Sequence, residues 1–386
     1  MSCSFEANPG SATADARAGR DAQPQDGGVD ARTVDAPDAL NAPDAAPLDF
    51  EVDHLGVIDP TLLQGAIVIN SSTNVSSLAL VPAVQTVGGG ALSVLYFDTL
   101  VINAPFNIDG DKPVLLVGNH IIVNGGGGIN AGADGLMAFA GGGNFSARGA
   151  GGGGKGATNP AAGSSADSGG GGGGFGTAGA AGGTADQSGA AAGTAGIAHG
   201  TAQMVSLTGG SAGGDSACTN NPARGGAGGG AVQLTARRSI IVNGVITAHG
   251  GGGGAGQLCA ITSGYDAGAG GGSGGVIFIQ TPLFTVNSGS GLFANGGGGG
   301  AAAQNALPYF GTPGQNGSIS TTAALGGVAA NAQTNRNGGT GGVQSGAPRT
   351  GGNGNNSGGG GGAVGRIVIH GPMPAGTFSP APVAYN

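Results

Sequence analysis

Residues 231–254 read AVQLTARRSIIVNGVITAHGGGGG, and the fold turns on how this stretch is read. Val232-Gln233-Leu234-Thr235 alternates apolar and polar residues, as a half-buried strand does. Arg237-Arg238-Ser239 interrupts the run, Ile240-Ile241-Val242 resumes it, and Asn243-Gly244 turns the chain. A third run, Val245-Ile246-Thr247-Ala248, ends on His249 and five glycines. Three short β-prone segments divided by polar turns make one lap of a three-sided β-coil.

Imperfect copies of the lap run outward in both directions. Leu92 precedes Asn103 by 11 positions, Val232 precedes Asn243 by 11, and Val276 precedes Asn287 by 11. Val114 precedes Asn124 by 10, which marks that turn as the tighter one. Ala66–Asn70 reads as an early capping copy, and Ala363–Ile369 as a last first-strand with no lap after it. The fold expected is all-β: a parallel β-helix, or three-sided β-solenoid, over residues 50–372. Its repeat register puts Ile121, Val123, Ile240, Val242, Val276, Phe278, Ile367 and Ile369 in one continuous core.

Composition narrows the choice. Glycine accounts for 92 of 386 residues, Trp is absent, and the glutamates (Glu6, Glu51) and lysines (Lys112, Lys155) are two of each. With strong helix formers other than Ala so scarce, a helical body is excluded. Glycine loses more backbone entropy on ordering than any other residue, so a chain this rich in it is disordered or held in a repetitive lattice. The formal charge of −8 is concentrated in residues 1–50, where nine acids meet Arg17, Arg20 and Arg32. The rest is nearly neutral with no basic stripe, which argues against nucleic acid as a partner.

Residues 1–49 carry six Asp-Ala pairs among Pro, Gly and Gln, and such a segment stays extended as a linker or tether. Cys3 behind a small residue suits a lipidation site, so the expected membrane contact is a lipid anchor at Cys3. Residues 136–225, 250–275 and 296–362 are dominated by Gly, Ala, Ser, Thr and Asn. Each tract leaves after the third strand of a lap and returns before the first strand of the next. Equivalent positions stack in a solenoid, so the tracts are expected to emerge from one corner as a single lobe. Extended three-residue polyglycine helices, cross-linked by backbone hydrogen bonds, suit such a lobe. Residues 373–386 read as a C-terminal tail.

Asn70, Asn103, Asn124, Asn243 and Asn287 occupy one repeat position, where Asn tolerates positive φ and its amides can bond from coil to coil. His249, Asp109 and Asn295 hold the equivalent place at the end of the third run. His54, His120, His199 and His370 share no metal-type spacing, and neither a metal nor a cofactor is expected. Gly149–Lys155 approaches a P-loop, but Gly156 stands where Ser or Thr must hold Mg²⁺. Cys218 and Cys259 flank the two ends of the 231–249 lap at the tract corner. With Cys3 lipidated, they are left to form a disulfide in an exported protein.

Taken together, Cys3, the Asp-Ala tract, the IIVNG and FTVNS elements and the re-entry at 358–369 give the chain a resemblance. It resembles glycine-rich secreted or lipoprotein-type bacterial surface proteins that carry a parallel β-helix. That resemblance implies a non-enzymatic, tethered structural or adhesive protein at the outer cell surface. Its implied partner is a surface polysaccharide or another surface protein, with self-association open. The Asn column is also similar to that of pectate-lyase-like β-helices, which gives the alternative of a polysaccharide-active enzyme. Arg237, Arg238 and Arg366 would then line an acidic-sugar groove. Those enzymes use Asp, Lys and Arg on one strand face, whereas Lys112 is the only lysine of the body outside the glycine tracts.

Overall fold

A computed structural model describes residues 91–386, apart from 145, 147, 159–165, 200–206, 260–263, 304–309, 331–332 and 386. It also describes the backbone of 67–70, 75–76, 83–87 and 90. The expected linker at 1–49, with Cys3 and its lipidation, and His54 lie outside the described residues. The described residues contain β-strands, a 3₁₀ turn at Thr334–Arg336 and no α-helix. No helix among them is long and apolar enough to cross a membrane.

In chain order the strands are β1 Ile67–Asn70, β2 Val75–Ser76, β3 Ala83–Val87, β4 Gly90–Tyr96, β5 Thr99–Ile102 and β6 Pro105–Asp109. Then follow β7 Val114–Val123, β8 Gly128–Asn130, β9 Ala231–Val242, β10 Val245–Thr247, β11 Leu258–Cys259 and β12 Gly264–Tyr265. The last six are β13 Val276–Gln280, β14 Phe284–Val286, β15 Gly291–Phe293, β16 Arg366–His370, β17 Thr377–Ser379 and β18 Val383–Ala384. One sheet runs β18-β16-β13-β9-β7-β4-β3, with β5 and β14 alongside the far halves of β7 and β9. A second runs β17-β15-β10-β8-β6-β1-β2. Pairing is parallel throughout both, except for β1–β2 and β3–β4 at the N-terminal edge.

Apolar side chains from all these ladders meet in one cluster. Leu116, Val232, Ile277 and Ile367 come from the first ladder, formed by β4, β13 and β16 with the near halves of β7 and β9. Ile121 and Ile240 come from the second, formed by β5 and β14 with their far halves, and Ile129, Ile246 and Leu292 come from the other sheet. Val276 and Phe278 do not join it. With Leu115, Val117, Val368 and Phe175 they form a second cluster on the opposite face of the first ladder. The reason is register: Val276 pairs with Ala231, and Ile277 with Val232. The spacing from Ile277 to Asn287 is 10, as from Val114 to Asn124, and Val114 in turn pairs with Val232. The stretch at 231–242 is therefore the exception. Between Gly118↔Ala236 and His120↔Ser239 it sets Arg237 and Arg238 against the single residue Asn119. Such a bulge shifts register by one, and one residue of slip turns a side chain to the other face.

Three further expectations change. Asn70 is level with Asp109, in the β6 sheet, and so lies off the asparagine column. Residues 373–386 are not a tail: β17 pairs with β15 and β18 with β16, adding strands beyond the expected last one. Only Phe378 of the described residues there joins the main cluster, too short an apolar signal to read among three prolines. Finally, the one described non-glycine residue at positive φ is Ala140. The asparagines and His249 are therefore not turn residues of the left-handed kind.

The glycine tracts are bonded to one another with a period of three. Gly268, Gly271 and Gly274 donate to Ser357, Gly360 and Ala363; Ala269, Gly272 and Gly275 donate to Gly254, Gly251 and Ala248. Gly270 and Ser273 complete the cycle by donating to Gly214 and Ser211. In 169–174 the same cycle visits Gly183 and Ala180, Gly268 and Gly271, and Gly154 and Gly151. Each of these segments thus donates to three neighbours, its carbonyls accept from others (Gly170, Gly300 and Gly226 donate to Gly268, Ala269 and Gly270), and all three tracts interlock. The spacing requires glycine: a Cβ on Gly270 would come within 2.0 Å of the Gly171 carbonyl oxygen. At the lattice edges carboxylates replace carbonyls as acceptors. Asp266 accepts from the backbone N–H of Ala223, Ala267 and Cys218 and from the Ser216 hydroxyl. Asp215 accepts from Gly225 N and pairs with Arg148 at 2.9 Å and Arg224 at 3.2 Å.

Candidate functional site

Side chains alternate along β6, β8 and β10, so Ile108, Ile129 and Ile246 point into the core while Asn107, Asp109, Asn130 and Thr247 point away from it. Parallel register puts Asn107 beside Asn130 and Asn130 beside Thr247. Asn130 Nδ2 donates to Asn107 Oδ1 at 3.3 Å, and Asn130 Oδ1 accepts from Gly132 N at 3.0 Å. His249 lies just past β10, with its Nδ1 2.7 Å from Thr247 Oγ1. Its ring covers Gly132, where a Cβ would come within 2.3 Å of it. Burial lowers the His249 pKa, which keeps the imidazole neutral at pH 7.

The opposite wall belongs to the lobe. Asp134 Oδ1 accepts from Asn316 Nδ2 at 3.1 Å, and Asn316 Oδ1 accepts from Gly135 N at 2.9 Å and Gly252 N at 3.0 Å. Those two backbone donors set the Asn316 amide's orientation. Between the walls is a cavity of about 370 Å³, also lined by Phe139. A larger one, about 620 Å³, adjoins it at residues 134–136 and 314–316 and is lined by Leu136, Leu258, Phe310 and Pro313 over a glycine floor. Leu136, Leu258 and Phe310 are all exposed.

The sequence-derived residues fall elsewhere. Asn124 donates to Asn103 at 2.7 Å, Asn243 to Asn124 at 3.2 Å, and Asn287 to Asn243. Four of the five asparagines thus form an amide ladder with a structural role. Cys218 and Cys259 are joined in a disulfide, with Cα atoms 5.8 Å apart. Lys155 of the P-loop-like run donates to the Cys218 carbonyl, inside the lobe. Arg237 and Arg238 lie at the bulge, whereas Arg366 is level with Ala231 at the other end of the strand. Six residues of strand, about 20 Å, separate them, so the three arginines line no common groove.

Comparison with family models, with curated proteins and with solved structures finds no match. The cavity therefore speaks through its own chemistry. It offers amide donors, carboxylate acceptors and a neutral imidazole beside an aromatic ring. No three His, Cys, Asp or Glu side chains among the described residues gather so as to hold a metal ion. Of this set, His249 and Asp109 stand out in the sequence as lap-end residues, and Asp134 as part of the run Gly132–Leu136, which resembles one unit of a calcium-binding nonapeptide repeat but occurs once. Asn130 and Asn316 carry no such signal, because residues 134 and 316 are brought together only by the folding of two distant tracts.

Proposed function

We propose that this chain is a non-enzymatic structural or adhesive protein of the outer cell surface. Its body is a three-sided parallel β-helix that carries a polyglycine II-type lobe, lifted from the membrane by the acidic segment and an acyl anchor at Cys3. The stacked parallel ladders support the first architectural element, and the period-three hydrogen bonding supports the second. The observation that carries the cellular reading is the Cys218–Cys259 bond, which spans 41 positions across the lobe. Such bonds persist where thiols are oxidised, outside the cytosol. The charged groups Asp215, Asp266, Arg148 and Arg224 fit the structural side of the reading, since they terminate the lattice instead of facing a cleft.

The experiment is antibody labelling of intact producing cells, alongside a Cys3→Ser variant. The expected result is surface labelling of the parent and release of the variant into the medium. Labelling that appears only after cell lysis sinks the proposal.

A further inference from the structure

We infer that the cavity between the second sheet and the lobe binds a neutral, hydroxyl-rich glycan, with Phe139 as the platform for a sugar ring. This rests on the surface-adhesion reading and gives it a contact site. The Asn130–Asn107 bond uses the Asn107 oxygen as acceptor, so the Asn107 Nδ2 hydrogens are left over for a ligand. Across the cavity, Asp134 uses Oδ1 for Asn316 and keeps Oδ2 open. Sugar hydroxyls can accept from the first and donate to the second, because each hydroxyl does both.

The same atoms disfavour other occupants. An anion would meet Asp109 and Asp134 with no Lys or Arg among the lining residues. A hard cation needs oxygen ligands, and the amide oxygens of Asn107, Asn130 and Asn316 already accept protein hydrogen bonds. The cavity's volume of about 370 Å³ lies at the small end of ligand pockets, fitting one or two sugar rings. The adjoining apolar cavity, with Phe310 exposed beside it, gives a longer chain somewhere to continue.

The test uses the purified full-length chain. Because it contains no Trp, Phe139→Trp places a single indole reporter in the cavity. Gluco-, manno- and galacto-oligosaccharides are titrated by calorimetry against the parent and by fluorescence against this variant, with an oligogalacturonate and Ca²⁺ as competing probes. The expected result is binding of at least one neutral oligosaccharide, a matching shift in indole emission, and no response to the uronate or to Ca²⁺ alone. Asn107→Ala and Asp134→Ala should each weaken binding by about ten-fold, the loss of one hydrogen bond to a charged or fixed polar group. Thermal unfolding checks that each variant is folded, and Asn107→Ala, which frees only the half-buried Asn130 amide, stands if Asp134→Ala does not fold. The inference is overturned if no neutral oligosaccharide binds, if binding survives both substitutions, or if Ca²⁺ or uronate alone moves the emission. These solution readouts are independent of the cell-labelling result, so either idea can fail without the other.

Discussion

Asp167 is buried beside the lattice edge, and that placement sets how the protein responds to pH. Burial, reinforced by the Asp266 carboxylate and partly offset by Lys155, pushes its pKa from 3.8 up to about 7. The folded state therefore holds a proton that the unfolded state has released between those values. Stability from this group is fully present below pH 3.8 and is lost as pH rises towards 7. Asp266, whose pKa burial also raises, acts in the same direction. The unfolding free energy of the parent minus that of Asp167→Asn should fall steadily across this window; a flat difference would remove the carboxyl from the argument. Ile240 poses a simpler case. It is fully buried in the main cluster, so Ile240→Asp leaves an unpaired charge in an apolar core. The expected cost is several kcal/mol in denaturant unfolding.

At the scale of the element, the lattice segments obey a different rule from the strands. Strands tolerate side chains on both faces, whereas a lattice segment is hydrogen-bonded to neighbouring segments on every side. Gly270→Ala would drive a methyl against the Gly171 carbonyl, backbone against backbone. It should cost about 1–3 kcal/mol, as overpacking does. Gly125 serves as the control, since a Cβ there meets only Asn243 O at 3.5 Å, and Gly125→Ala should be neutral or stabilise by up to about 1 kcal/mol. Equal melting temperatures for the two variants would mean that close packing does not hold the segment together.

The same contrast explains what could be read in advance. Strands announced themselves through runs such as Ile240–Val242, and the asparagine positions followed from equal spacing. The register did not: Arg237 and Arg238 are both exposed, and nothing in their chemistry marks one of them as an extra residue. The 11-residue spacing of that irregular member, carried over to Val276 and Asn287, puts Val276 and Phe278 on the wrong face, whereas Ile367 and Ile369 are in the main cluster as expected. Asn295 shows a further limit. It is buried, donating to the Ser318 and Ser320 carbonyls and accepting from Ser379. No local pattern predicts a clamp whose partners lie 23, 25 and 84 positions away. In the tracts, composition was informative about packing density but silent about which segment neighbours which.

For the molecule as a whole, the question is whether lobe and sheets are one cooperative unit. The hydrogen-bond network says that they are, because lattice segments lead into first-ladder strands without a break. Gly275 donates to Ala248, Val276 to Gly230 and Arg366 to Gly275. The Phe175 side chain comes from the lobe and packs in the cluster with Val276, Phe278 and Val368. Amides such as Gly170, Gly271 and Gly299, each within 3.0 Å of its acceptor, should exchange as slowly as core amides such as Ile277. Both sets would then report the global unfolding free energy. Reducing the Cys218–Cys259 bond should lower that shared value by about 3–4 kcal/mol, through the loop it closes. Hydrogen exchange read by mass spectrometry, with and without reductant, makes the comparison. If the lattice amides exchange fast while Ile277 stays protected, or if the reductant loosens the lobe and leaves the sheets unchanged, the two parts fold separately and the unity of the body is lost.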